Sequence, residues 1–281
     1  MPRTELITSA ANPLLKQIRR AASQGTLTAD GLLLLDSAHL VAEAIRSGCV
    51  LRTVLLAARR AEEAPHYSSL CRVLVVDDRL FDCLASTETT QGLMALIDPP
   101  EWPIERIFRR DGLVIVLDAI QDPGNCGAIF RSAEAFGACG ILATPGTAGV
   151  FNPKTLRASA GSALRVPNVM GIGPETLAAQ LAERGIRRFA ALPAGEGTCS
   201  PENVDWRGSC AMLIGSEGRG LDPRLTGGAV PVSIPTESVE SLNAAIAASI
   251  LLYEARRQRT GLESPCTLKG APREGRSREQ R

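Results

Sequence analysis

Apolar and polar positions alternate along the chain in two modes: short wholly apolar runs, and longer segments with apolar residues at helical spacing. Near the start, NPLLKQIRRAAS puts Leu14, Leu15 and Ile18 on one face and Lys16, Arg19 and Arg20 elsewhere. Asn12 offers an N-cap and Pro13 a first helical position, so a helix is predicted to begin there. GLLLLDS reads as a short strand, AHLVAEAIRSG as a helix stopped by Gly48, and VLRTVLLA and RVLVVD as two buried strands. TETTQGLMALIDPP then leads into the proline-rich DPPEWP, which marks a boundary near residues 99–110.

Past that boundary LVIVLDAI reads as a fully buried strand, and NCGAIFRSAEAFGA as a helix with Ile129, Phe130, Ala133 and Phe136 on one face. GILAT is the next strand, and NPKTLRASAGSA a helix opened by Asn152 and Pro153. ETLAAQLAERG, RRFAALPA, CAMLIGSE, AVPVSIP and SLNAAIAASILLYEARRQR continue the alternation. Such a sequence predicts an α/β fold with a mainly parallel sheet. From Glu263 onward periodicity stops and apolar residues thin out, so a disordered, mildly basic tail is expected. The expected organisation is a small α/β unit over 1–98, a linker over 99–110, a second domain over 111–262 and the tail over 263–281.

Composition narrows the chemistry. With 44% hydrophobic and 22% charged residues, the chain is an ordinary globular protein. Aromatics are 4%, too few for a wide base-stacking platform, and the formal charge of +1 confines any nucleic-acid binding to a local basic patch. Nearly all of the positive charge is arginine; the lysines are Lys16, Lys154 and Lys269. Arginine forks suit phosphate, although a GC-rich genome gives the same bias. The 8 cysteines form no CxxC pair and the 2 histidines, His39 and His66, lie far from any ligand cluster, so no metal is expected. The thiols read as small packing residues of a reducing compartment, Cys126 included. No run is apolar enough to span a bilayer, so a cytoplasmic protein with no membrane partner is expected.

In open α/β sheets ligands bind beyond the carboxyl ends of the strands. Three such places are rich in chemistry. After LVIVLDAI comes QDPGNCGAIFRSAEAFGACG, with Asn125 able to cap the helix and Arg131 further along it. After CAMLIGSE comes GRGLD, with Gly215, Gly218 and Gly220 around Glu217. After AVPVSIP comes TESVESLN, with Ser241 and Asn243 at the head of the last helix. A plainer role stands beside each: Asn125, Ser241 and Asn243 as helix-start residues, Glu217 as a structural carboxylate bonding backbone amides, and Arg131 as a surface arginine paired with Glu134.

These three segments, in this order, closely resemble motifs 1, 2 and 3 of the SpoU/TrmH family of RNA 2′-O-methyltransferases, over roughly Leu113 to Arg257. The resemblance implies an α/β domain whose C-terminal part is tied in a trefoil knot of the SPOUT type, binding S-adenosyl-L-methionine and acting as a homodimer. It implies catalytic roles for Asn125, Arg131, Glu217, Ser241 and Asn243, and cofactor contacts, largely through the backbone, at Leu192, Gly215, Ile234 and Leu242. ITSAANPLLKQIRR and GLLLLDSAHLVAEAI resemble the ribosomal-protein-like RNA-binding domain of the rRNA-directed branch. Asp36-Ser37 replaces the usual Glu-Gly there, and Thr236-Glu237-Ser238 replaces a stretch that often holds Met and Gly. The implied substrate is structured RNA, 23S rRNA first. The alternatives are a tRNA 2′-O-methyltransferase and a non-catalytic RNA-binding or ribosome-assembly protein on the same fold. Lys16, Arg19, Lys154 and Arg157 are the expected RNA contacts, with Arg165 nearby. An arginine has a pKa above about 12 and is a poor base, so Arg131 is expected to grip a phosphate or align the ribose hydroxyl.

Overall fold

A computed structural model describes residues 5–84 and 90–261; the tail expected over 263–281 lies outside the described residues. The first unit comprises β1 (Glu5–Ile7), α1 (Pro13–Gln24), β2 (Leu33–Leu35), α2 (Ala38–Arg46), β3 (Leu51–Ala57), α3 (Ala64–Ser68), β4 (Arg72–Val76), α4 (Asp78–Asp82) and β5 (Leu93–Ile97). As predicted, Asn12 caps α1: its side chain accepts from Leu14 N at 2.9 Å, and Gly25 closes the helix at φ 64°. The sheet runs β1-β4-β3-β5-β2, with β1, β4 and β3 parallel and β5 antiparallel to both β3 and β2. β1 and β5 were not predicted. Leu93–Ile97 is buried at every position, and a preceding tract of threonines and glycine hid it.

The second unit comprises β6 (Leu113–Asp118), α5 (Pro123–Phe136), β7 (Gly140–Ala143), α6 (Pro153–Ala158), β8 (Asn168–Met170), α7 (Pro174–Glu183), β9 (Arg187–Ala191), β10 (Cys210–Gly215), α8 (Pro223–Thr226), β11 (Val230–Val232) and α9 (Ala244–Thr260). Its six strands are all parallel, in the order β11-β9-β10-β6-β7-β8. Central β6 is buried on both faces, which is why it reads as a continuous apolar run. Leu113, Ile115 and Leu117 pack with Phe130 of α5 and Leu252 of α9; Val114 and Val116 pack with Leu177 and Leu181 of α7 and Leu225 of α8. The 99–110 segment is not simply solvated, because Ile107 is fully buried in this second core.

Two expectations about helix boundaries change. The cap of α5 is Asp122, whose Oδ1 accepts from Asn125 N at 2.7 Å, so Asn125 sits inside the first turn with its amide free for other partners. The helix predicted over NPKTLRASAGSA stops at Ala158, because Ala160 (φ 48°) and Gly161 (φ 85°) turn the chain. A Cβ on Gly161 would lie 2.8 Å from Cβ and Cγ of Glu43, so this turn packs directly on the first unit. A second close approach brings Gly25 against Asn152. The core containing β6 is continuous with Leu33, Leu35, Leu40 and Val41 of the first unit. The two units are thus packed together through α2 and α6.

Candidate functional site

The carboxyl ends of β6, β9, β10 and β11 lie side by side, and the segments leaving them build the site. Asp118, at the end of β6, is buried and ties these segments together: Oδ1 accepts from Thr144 Oγ1 and Oδ2 from Asp222 N, both at 2.6 Å. Its importance was missed at sequence level, although a carboxylate closing a wholly apolar strand was a usable signal.

Asn125, Glu217 and Asn243 meet although they come from three distant segments. Glu217 Oε1 accepts from Asn243 Nδ2 at 2.9 Å, Asn125 Nδ2 at 3.3 Å and Ala244 N at 3.3 Å. Asn243 Nδ2 also donates to Asn125 Oδ1 at 2.9 Å. A carboxylate only accepts, so it fixes both amides with their NH2 groups turned towards it. Asn243 serves a second purpose as the cap of α9, its Oδ1 accepting from Ala245 N at 3.0 Å and Ile246 N at 3.3 Å. Glu217 is exposed rather than buried, and Oε2 has no hydrogen-bond partner among the described residues.

This node stands between two cavities. One is a cleft lined by Leu192, Gly215, Ile234 and Leu242, together with Glu217, Glu240 and Ser241. All four positions expected to contact the cofactor therefore gather in one place. Leu192 N is already spent on Val232 O at 2.9 Å, so Leu192 can offer a ligand its carbonyl or its side chain. Gly215 is required by a close approach: a Cβ there would lie 2.5 Å from the carbonyl of Gly220 and 2.7 Å from Leu221 N. The second cavity is more polar and shares Ser216, Glu217 and Ala244 with the first, adding Gln121, Asp122, Asn125 and Arg219.

The remaining expected residues fall outside the node. Ser241 lies in the cleft wall, exposed and without a side-chain hydrogen bond among the described residues. Arg131 is six residues beyond Asn125 on α5, about 9 Å along the axis and roughly 120° round it. It is exposed and has no ion pair or hydrogen bond among the described residues; the carboxylate of Glu134, at ion-pairing distance in sequence, belongs to Arg165 instead. Lys16, Arg19 and Lys154 are exposed, as an RNA contact requires. Arg157 departs from its expected place, because its guanidinium pairs with Asp36, whose side chain is 2% exposed, at the junction of the two units. Arg165 likewise pairs with Glu43 and Glu134. Both arginines staple the units because the turn at Gly161 presses this segment onto α2.

Cys126, beside Asn125, is fully buried, and burial first, with Asp122 adding, pushes its thiol up to about 12. It is a packing residue, not a nucleophile. Among the described residues no cluster of His, Cys, Asp and Glu could hold a metal, and no helix is long and apolar enough to cross a membrane.

Comparison with known proteins places this geometry. Residues 112–253 match the model of the SpoU rRNA Methylase family, and residues 12–95 that of the MRM3-like substrate binding domain. An uncharacterized tRNA/rRNA methyltransferase of Synechocystis is 33% identical, covering 92% of this chain and 96% of its own. The 23S rRNA (guanosine(2553)-2′-O)-methyltransferase of Bacillus subtilis is 29% identical, covering 89% and 98%. Among solved structures, the SpoU methyltransferase AviRb of Streptomyces viridochromogenes, in complex with the cofactor AdoMet, superposes with a TM-score of 0.78. It is 28% identical and covers 89% of this chain and 98% of its own.

Proposed function

The chain belongs to the SpoU rRNA methylase family, and on that premise we propose that it methylates a ribose 2′-hydroxyl in structured RNA, 23S rRNA first, using S-adenosylmethionine. The observation that carries the proposal is the Asn125–Glu217–Asn243 node, which stands between an apolar-walled cleft and an open polar cavity. The cleft suits the cofactor: Leu192, Ile234 and Leu242 offer apolar walls to a purine, the glycine-rich turn offers backbone, and Glu240 offers a carboxylate to a cationic amino-acid end. When bound there, S-adenosylmethionine supplies a methyl group on a sulfonium.

The residues of the chain then have the following work. Glu217 Oε1 is saturated by three donors, so Oε2 is the oxygen that accepts the ribose hydroxyl. Asn125 and Asn243 hold that carboxylate still, and the second amide hydrogen of Asn125 is available to the nucleotide. Holding hydroxyl and methyl in line supplies most of the rate in such a design. Arg131 grips a flanking phosphate with its planar fork, and Ser241 shapes the cleft rim. Lys16, Arg19 and Lys154 dock the RNA from the N-terminal domain (1–98) and from α6; RNA helices are read largely through phosphate and 2′-hydroxyl contacts.

The same reading makes 111–262 the knotted methyltransferase domain and places the protein in the cytoplasm as a homodimer. In support of a second copy, α9 exposes an apolar row at i, i+4 and i+7: Ile246 is 53%, Ile250 39% and Tyr253 58% exposed. Calorimetry with S-adenosylmethionine tests the proposal: one site per chain is expected, and tritium transfer from labelled cofactor to rRNA should appear in alkali-resistant 2′-O-methyl dinucleotides. A chain that binds no cofactor would overturn it.

A further inference from the structure

Glu134 follows Arg131 by three residues on α5, the spacing at which opposite charges on a helix meet. Yet Glu134 is fully engaged elsewhere. The Arg165 fork takes both its oxygens, Nη2 donating to Oε2 at 2.8 Å and Nε to Oε1. The same guanidinium reaches the first unit, where Nη1 donates to Glu43 Oε2 at 2.7 Å. Glu43 is fixed in turn: its side chain is 8% exposed, Arg46 pairs with its other oxygen, and the Gly161 turn packs on its stem. The fork of Arg165 holds the Glu134 carboxyl below the usual carboxylate range, so it stays charged and paired at neutral pH. Arg131 remains exposed, with no partner among the described residues.

We propose that Arg165 is a positioning residue for RNA methylation: by occupying Glu134 it keeps Arg131 unpaired for an RNA phosphate, and the N-terminal unit holds it there through Glu43. The inference rests on Arg131 gripping RNA, as set out above. It gives the N-terminal unit a second task beyond docking, since its correct seating decides which arginine Glu134 pairs with. Without Arg165, Glu134 closes on Arg131. A surface pair at this spacing would leave Arg131 free about a third of the time, raising the apparent KM for RNA about threefold with kcat little changed.

The test uses full-length protein, labelled S-adenosylmethionine and 23S rRNA from a strain lacking the gene. Arg165→Ala should raise KM about threefold, and adding Glu134→Gln should restore it. Adding Glu43→Gln instead changes net charge equally but leaves Glu134 free, so it should not restore KM. A residue that merely stapled the units would not be rescued by Glu134→Gln. Arg165→Gln, which keeps more of the side-chain volume, should repeat the pattern if Arg165→Ala folds poorly. The inference is overturned if Arg165→Ala and Arg165→Gln match wild type, or if Glu134→Gln and Glu43→Gln rescue equally or not at all. Arg131→Ala separates the two levels: normal methylation by that variant overturns the role of Arg131 itself, whereas an inactive Arg131→Ala with no rescue by Glu134→Gln overturns only the role of Arg165.

Discussion

Asn243 is both the cap of α9 and the amide that joins Glu217 to Asn125, and two substitutions separate these tasks. Asn243→Ser keeps a capping oxygen for Ala245 N and Ile246 N but removes the Nδ2 bonds to Glu217 Oε1 and Asn125 Oδ1, both 2.9 Å. Asn243→Ala removes the cap as well. The two side-chain bonds are exposed and water replaces them in part, so their loss should cost about 1 kcal/mol together. The missing cap should cost Asn243→Ala about 1 kcal/mol more. For a chain of this size each such step lowers Tm by about 2–4 °C, which calorimetric melting resolves. Activity should behave differently. Both variants remove the shortest of the three bonds that hold Glu217 Oε1 and so loosen the carboxylate, and misplacing a reacting group by about 1 Å costs up to about 100-fold in rate. Methyl transfer to rRNA should therefore fall steeply and equally in the two, with S-adenosylmethionine binding retained. Full activity in Asn243→Ser, with loss confined to Asn243→Ala, would show that Asn243 is a helix cap and nothing more.

Other perturbations address other parts of the molecule. Gly215→Ala would drive a Cβ to 2.5 Å from the Gly220 carbonyl, so cofactor affinity measured by calorimetry should drop at least about tenfold and stability by about 1–3 kcal/mol. Cys126, with its thiol pushed up to about 12, should stay unmodified by iodoacetamide at pH 8 in the native protein and react once the chain is unfolded; rapid native labelling, read by mass spectrometry, would contradict its burial. Arg157→Ala should lower Tm, losing up to about 3 kcal/mol because Asp36 is left buried beside an empty place. Lys154→Ala should leave Tm alone and weaken rRNA binding with a shallower salt dependence; the opposite assignment of effects would restore Arg157 as an RNA contact.

Much of the fold was legible because its signals are local. Asn12-Pro13 and Asn152-Pro153 open helices as their capping chemistry dictates, and Leu113 to Leu117 are all apolar because β6 is covered on both faces. That ligand sites follow the strands was legible for a topological reason, since adjacent parallel strands bring the residues after them to one edge; that Leu192, Gly215, Ile234 and Leu242 would line a cleft there was implied by the SpoU/TrmH resemblance. What escaped depended on partners remote in the chain. Nothing near Arg157 or Arg165 announces Asp36 or Glu43, about 120 residues away, so both arginines read as a basic surface. The three-residue edge strand β8 is only half-buried and carries no clear alternation. Asn125 looked like a cap because a side-chain amide at a helix start usually is one; Asp122, three residues earlier, had already taken that position. That displacement leaves Asn125 free to join Glu217.

Mapping 2′-O-methyl groups across rRNA and tRNA, in cells with and without the gene, tests ribose methylation most directly. The expected result is one 23S rRNA position that loses its methyl group on deletion and regains it with the wild-type gene, but not with Arg131→Ala or Asn243→Ser. Loss of a tRNA position instead would move the substrate to tRNA, and identical maps in both strains would contradict methylation of either RNA by this protein.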